Sequence, residues 1–140
     1  MNEGTWKVDN SPDPADLRFL EDRIHSFNVD LTEIEPAGPL AIFVRADGEI
    51  VAGIDGFMWA GVLQVNNLWV REDLRGHGYG RRLLSRLEEA ARARECVQSV
   101  LETHSFQAPG FYLKLGYQIV GTIEQYPPGE QKYTLRKRLV

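Results

Sequence analysis

Cysteine is almost missing from this chain: Cys96 is the single one in 140 residues. A lone cysteine permits no internal disulfide and suits a reducing compartment, so the cytoplasm is the expected location. Together with three histidines it shows no metal-ligand spacing, and no metal is expected. No apolar run approaches about 18 residues, the length of a membrane-spanning helix. The polar stretch Met1–Asn10 lacks the apolar core of a signal peptide, so no membrane association is expected. Basic residues are fewer than acidic ones, 16 against 20, for a formal charge of −4. Neutralising a phosphate backbone needs the reverse balance, which argues against nucleic acid as a partner and mildly for a cationic one. Internal repeats and low-complexity tracts are also absent.

What is present suits one domain over residues 1–140, with 43% of residues hydrophobic and 26% charged. A chain of this size buries roughly 68–70% of its unfolded surface. The stretch that organises it runs from Leu68 to Leu84, from the apolar end of a strand into the start of a helix. Between the two, Gly76, Gly78 and Gly80 alternate with other residues, and Arg75, Arg81 and Arg82 flank them. Glycine admits positive φ and close approach. A helix starting near Gly78 or Tyr79 offers unpaired N–H groups and the positive end of its dipole. That is an anion site suited to phosphate or pyrophosphate; a plain strand-to-helix connection with basic surface residues is the other reading. A P-loop would need a Lys after the glycines, and none follows. A dinucleotide fingerprint would need a wider third glycine and a ribose acid about 20 residues on. A nucleotide-phosphate binder is therefore disfavoured. The remaining pattern, Arg75-x-x-Gly78-x-Gly80, resembles the coenzyme A loop of the GNAT superfamily of acyl-CoA N-acyltransferases.

Taken from the start, Thr5–Val8 is compatible with a short strand. Asp13 is placed to cap a helix with Pro14 in its first turn. Leu17, Leu20, Ile24 and Phe27 recur at helical spacing and are expected to face the core. Asn28–Gly38, with Pro36 and Gly38, reads as a loop; it is a plain connector or, as the resemblance allows, a border of the acceptor site. Leu40–Arg45 and Glu49–Trp59 are strand-like around Asp47-Gly48, a strong hairpin pair. On the second of these strands Ile50, Ala52, Ile54 and Met58 share one face, and Val51, Gly53, Asp55, Phe57 and Trp59 the other. In the strand Leu63–Val70 the apolar parity breaks, from Leu63 and Val65 to Leu68 and Val70. An inserted residue explains this, so a β-bulge is expected at Asn66-Asn67; a strand covered on both faces is the alternative. Leu83, Leu84, Leu87, Ala90, Ala91 and Ala93 line one side of a helix ending near Arg94. Its other side reads as solvated, with Glu88 and Arg92 an (i, i+4) pair. A strand Val97–Phe106, a short helix Ala108–Gly116, and strands Tyr117–Ile123 and Lys132–Leu139 complete the chain.

Phe111-Tyr112-x-x-x-Gly116-Tyr117 is the second point of resemblance, since many GNAT enzymes carry Phe-Tyr-x-x-x-Gly-Phe/Tyr about 30 residues past the glycine loop. The two motifs together cover roughly Ala41 to Leu139. The resemblance implies an α/β fold with a mixed, mostly antiparallel central sheet, flanking helices and a splayed coenzyme A cleft. It implies acetyl transfer from acetyl-CoA to an amine, by direct attack in a ternary complex. It places the pyrophosphate on Arg75, Gly76, His77, Gly78, Tyr79, Gly80 and Arg81, and the pantetheine arm against the backbone of Leu68 and Val70. Gln107 stands where the family often has Asn on that arm. Tyr112 takes the position of the acid that protonates the leaving thiolate, for which a phenol of pKa about 10 is suited. The base is open among Glu102, His104 and Asp55, because the bulged strand carries no acid; imidazole is the side chain that exchanges protons near neutrality. Asp55 and Glu102, with Trp59, would draw a small cationic amine by charge and cation–π contact. The other class of function is a non-catalytic acyl-CoA-binding or regulatory module, which has no need of Tyr112. Monomer and homodimer are both open.

Overall fold

The computed structural model describes residues 3–140. They form α1 (Pro14–Thr32), β1 (Gly38–Ala46), β2 (Glu49–Trp59), β3 (Val62–Val70), a 3-10 turn at Glu72–Leu74, α2 (Tyr79–Ala93), β4 (Gln98–His104), α3 (Pro109–Lys114), β5 (Gln118–Glu124) and β6 (Gln131–Arg138). Two compact units result, one ending at Glu35 and the other running from Pro36 to Val140.

In the first unit Asp13 does cap α1, its carboxylate accepting from Ala15 N at 2.9 Å, with Pro14 in the first turn. The helix continues to Thr32, into the stretch read as a loop, and stops at Glu33 in the left-handed region with its N–H bonded to Val29 O. Thr5–Val8 is not a strand, since a strand needs a ladder partner for its backbone groups. Leu17, Leu20, Ile24 and Phe27 are exposed rather than in a core, at 51–62%. A unit of this length is too small to enclose an apolar face of its own.

The second unit is a six-stranded sheet in the order β1-β2-β3-β4-β6-β5. Only β3 and β4 pair in parallel; every other pair is antiparallel. This is the mixed, mostly antiparallel α/β fold. The hairpin between β1 and β2 turns on Asp47 (φ 52) and Gly48 (φ 80), both positive as a primed turn requires. The amphipathic α2 sets Leu83, Leu84, Leu87 and Ala91 against Ala52, Ile54, Met58 and Leu63, all buried. Each buried aliphatic side chain contributes about 1.5–3 kcal/mol, so this one face anchors α2 to the sheet.

Two irregularities shape β2 and β3. Asp55 pairs with Asn67 and Gly56 with Val65, so Asn66 is the extra residue of a bulge, at the position the parity break indicates. Gly56 stands opposite; a Cβ there would lie 2.5 Å from Gln64 O, which only glycine avoids. A second bulge was not foreseen. Val44 pairs with Ala52 but Arg45 with Ile50, leaving Val51 as the extra residue. Val51 is therefore buried beside Ala52, while Ile50 leaves their face and is 44% exposed.

Candidate active site

The parallel ladder between β3 and β4 consists of Val62↔Gln98, Leu63↔Ser99 and Gln64↔Val100. Beyond Gln64 the strands separate, and the bulge at Asn66 lies at the point of separation. Arg71 N bonds to Val51 O at 2.9 Å across the β2–β3 ladder. By the alternation of an antiparallel pair, the backbone groups of Leu68 and Val70 then face away from β2, into the gap. Arg75 closes one mouth of it, its Nε donating to Val70 O at 2.9 Å.

The glycine turn follows. Gly76 (φ 79) and Gly78 (φ 83) are left-handed, and a Cβ at either would meet nothing within 4 Å. The backbone of the turn is therefore open on that side, with no neighbouring atom where a side chain would stand. Gly78 is the N-cap of α2 and no side chain caps that end. The helical ladder starts at Arg82 N to Gly78 O, so the N–H groups of Tyr79, Gly80 and Arg81 have no acceptor within the helix. Gly80 answers a different need: a Cβ there would lie 3.2 Å from Phe111 Cζ, so α3 docks directly on the first turn of α2. His77 and Arg81 are exposed beside the turn.

Tyr112 on α3 is half-buried, with its ring edge-on to Phe111 at 5.0 Å and to Tyr117 at 5.9 Å. Burial pushes its phenol above the ordinary value of 10.0. Among the described residues its hydroxyl has no hydrogen-bond partner. Gln107 turns its side-chain oxygen inward to His104 N at 2.7 Å and to the Thr103 hydroxyl at 3.2 Å, bracing the β4–α3 corner. Only its amide nitrogen remains for a ligand.

The other predicted residues are not gathered in one place. On β4, Glu102 is ion-paired with Lys132 at 3.1 Å. That bond raises the Lys132 ammonium above its ordinary value, as does the Glu102 charge, while burial opposes them. His104 lies between Phe106 and Tyr126, with ring centroids at 5.1 Å from each, and its Nδ1 is 2.9 Å from Tyr126 O. A carbonyl can only accept, so in the neutral ring Nδ1 carries the proton and Nε2 presents a lone pair. Asp55 accepts from Asn67 Nδ2 at 2.9 Å. It lies in a depression of about 290 Å³ whose walls include Phe43, Ile50, Gly53 and Trp69. Trp59, expected beside Asp55, is not part of this depression; it lies four residues along β2, roughly 13 Å away at strand spacing. Trp69 occupies the place beside Asp55 that the face pattern assigned to Trp59. Asn67 and Trp69 were missed, although the bulge itself implies that residues past it change face.

Glu88 is the largest departure from expectation. It is 4% exposed and bonded to Lys137 Nζ and the Tyr117 hydroxyl, not to Arg92. Arg92 instead donates to Leu139 O at 2.8 Å. The signal was in the spacing: Glu88 follows Leu84 by four and precedes Ala91 by three, on the apolar face. No cluster of potential metal ligands occurs among the described residues. No helix among them is long and apolar enough to cross a membrane.

A splayed parallel pair, a glycine turn opening a helix and a phenol on the next helix define an acyltransferase of the coenzyme A type. The acetyltransferase (GNAT) family's profile matches residues 5–117, and the chain belongs to that family. Among curated proteins it is similar to blasticidin-S acetyltransferase of Streptomyces morookaense, 41% identical over 115 residues, 77% of this chain and 83% of that one. An acetyltransferase from Bacillus cereus ATCC 14579 superposes with a TM-score of 0.78 at 29% identity, over 94% of this chain and 97% of that one. A candidate streptothricin acetyltransferase of Bacillus anthracis, solved in complex with acetyl coenzyme A, shares the fold at a TM-score of 0.64 and 19% identity, over 72% of this chain and 62% of that one.

Proposed function

We propose that the protein transfers the acetyl group of acetyl-CoA to the amine of a small cationic molecule of the blasticidin-S kind, by direct attack while both are bound. The observation that carries the reading is the open cradle at Gly76 and Gly78 beside the gap where β3 leaves β4. The free N–H groups of Tyr79, Gly80 and Arg81 suit a pyrophosphate, with Arg75, His77 and Arg81 at its rim. Leu68 and Val70 offer backbone groups to the pantetheine arm; the carbonyl of Val70 is shared with Arg75. The amide nitrogen of Gln107 is a further donor.

Bound acetyl-CoA supplies an activated thioester and a thiolate leaving group. Tyr112 holds a proton through neutral pH, because burial opposes its ionisation, and its unpartnered hydroxyl delivers that proton to sulfur as the C–S bond breaks. The amine must first lose a proton. His104 suits this best, because the bond between its Nδ1 and Tyr126 O orients the ring and leaves Nε2 as the nitrogen with no partner among the described residues. Glu102 is already compensated by Lys132. On the acceptor side, the Asp55 carboxylate beside Phe43 and Trp69 attracts a cation through charge and ring faces. The lone, buried, free Cys96 is in keeping with action in the cytoplasm.

The test is thiol release from acetyl-CoA in the presence of blasticidin S and a panel of amino-sugars and polyamines, with the product weighed by mass spectrometry. An N-acetylated product is expected with blasticidin S. Tight coenzyme A binding with no acetylated product from any amine would make the protein a binding module instead.

A further inference from the structure

Beneath α3 lies a buried polar cluster that none of the steps above uses. Glu88, Ser99 and Tyr117 are 4%, 0% and 2% exposed. The Tyr117 hydroxyl donates to Glu88 Oε2 at 2.8 Å, and Ser99 Oγ is 2.8 Å from the same phenol oxygen. Lys137 Nζ reaches Glu88 Oε1 at 2.9 Å. On its way the Lys137 stem crosses Gly116, where a Cβ would lie 3.4 Å from Lys137 Cε, and its ammonium stands 5.7 Å from the centre of the Tyr117 ring. A buried ion pair is a poor way to gain stability, since an apolar pair of similar volume usually does as well or better. Its value here is therefore sought in what it holds still.

What it holds is α3. This helix has six residues, Pro109–Lys114, none of them fully buried, and only Phe111 and Tyr112 pack in part against the core, so its length does not fix it. It is fixed at two ends, both times by α2. At the first, Phe111 lies against Gly80. At the second, Tyr117 N and Leu115 N both donate to Tyr112 O, at 3.1 and 3.0 Å, and the Tyr117 side chain is bonded to Glu88. The carbonyl of Tyr112 is thus one peptide hydrogen bond from the buried cluster. The same helix α2 that starts at the pyrophosphate cradle carries Glu88 two turns on.

We propose that Glu88 and Tyr117 are positioning residues, tying α3 to α2 so that the Tyr112 hydroxyl is held at the thioester while the pyrophosphate is held at Gly76–Gly80. This deepens the reading of Tyr112 as the acid and rests on it. Lys137 pairs with the Glu88 carboxylate and Ser99 completes the phenol's hydrogen bonding.

The test is Tyr117→Phe, which removes one oxygen and keeps the ring. With blasticidin S as acceptor, kcat is expected to fall by roughly 10- to 100-fold, the scale of a 1 Å misplacement, with KM for acetyl-CoA within about twofold of the parent. In the Tyr112→Phe background the same change is expected to lower kcat no further, because there is no acid left to misplace. Equal losses in both backgrounds, or no loss in either, would overturn the proposal. Glu88→Gln, which keeps an oxygen for the phenol, is the second variant and should show a smaller loss with the same disappearance. Amide exchange gives a readout that needs no acceptor. Segment 109–117 should exchange faster in Tyr117→Phe while the β1–β2 hairpin and the acetyl-CoA Kd stay unchanged; unaltered exchange in 109–117 refutes the tie. Full activity in Tyr112→Phe alone would instead refute the acid role, leaving the exchange result to judge the tie.

Discussion

Tyr112 sets the sharpest expectation at the scale of single residues. A general acid contributes about 10²- to 10⁴-fold, so Tyr112→Phe should lose turnover in that range with KM for acetyl-CoA unchanged. Its pH profile is a second check. Burial raises the phenol above 10.0, and only the protonated form can donate, so kcat should not decline on the alkaline side below about pH 10. A descending limb at pH 8, absent in Tyr112→Phe, would mean an acid ionising far too early for this phenol. Gly78 makes a different demand. Valine there meets both a left-handed backbone, a strain of about 1–3 kcal/mol, and the open cradle its side chain would fill. Calorimetry on folded Gly78→Val should find no acetyl-CoA binding; parent affinity would move the pyrophosphate elsewhere. Asp55→Asn should raise KM for a cationic acceptor more than for acetyl-CoA. An equal KM for both in variant and parent would leave the Phe43–Trp69 depression without a role.

Among the elements, β3 and its bulge were legible in advance and α2 was not fully so. Leu63, Val65, Leu68 and Val70 cannot share a face without an insertion, and the register supplies it at Asn66. The opposite residue, Gly56, carries a checkable cost: the added methyl of Gly56→Ala would press on the backbone at Gln64 O. Overpacking of that kind costs about 1–3 kcal/mol, to be read from urea denaturation, and a neutral result would mean the bulge yields easily. On α2 the glycine turn and apolar stripe could be read, but charge was equated with exposure at Glu88. The spacing nevertheless puts that carboxylate among leucines, four residues after Leu84 and next to Leu87. What could not be read locally was its counter-ion, Lys137, which lies 49 residues away. Likewise the bulge at Val51 leaves no parity break, because Val51 and Ala52 are both apolar. Removing the counter-ion should show its weight: Lys137→Met strands a buried carboxylate, a loss of about 3–5 kcal/mol in thermal or urea unfolding at neutral pH.

Seen whole, the mixed, mostly antiparallel sheet, its splayed strand and the family were within reach of the sequence, because two motifs at a characteristic separation carry the resemblance. The depression around Asp55, proposed for the acceptor, was not, since it depends on which side chains the bulges bring together across β1, β2 and β3. The charge of the whole chain, −4, bears on that side too. Added salt screens exposed charges over about 8–10 Å at moderate ionic strength, so KM for a cationic acceptor should rise with salt more steeply than turnover at saturation falls. The short ladder of Val62, Leu63 and Gln64 against β4 has a consequence for how the chain folds. On either side of it the strands pair as antiparallel neighbours, β1 to β3 on one flank and β4 to β6 on the other. The pairings of β1, β2 and β3 join strands that follow one another directly and close cheaply, whereas the ladder must bring Val62 to Gln98 across the whole of α2, and β4 meets β6 over a comparable stretch of chain. Non-local pairings of this sort are the slow ones, so the flank of β1, β2 and β3 should form early and its joining to β4 should limit the rate. The gap between β3 and β4 is then among the last parts of the sheet to come into being.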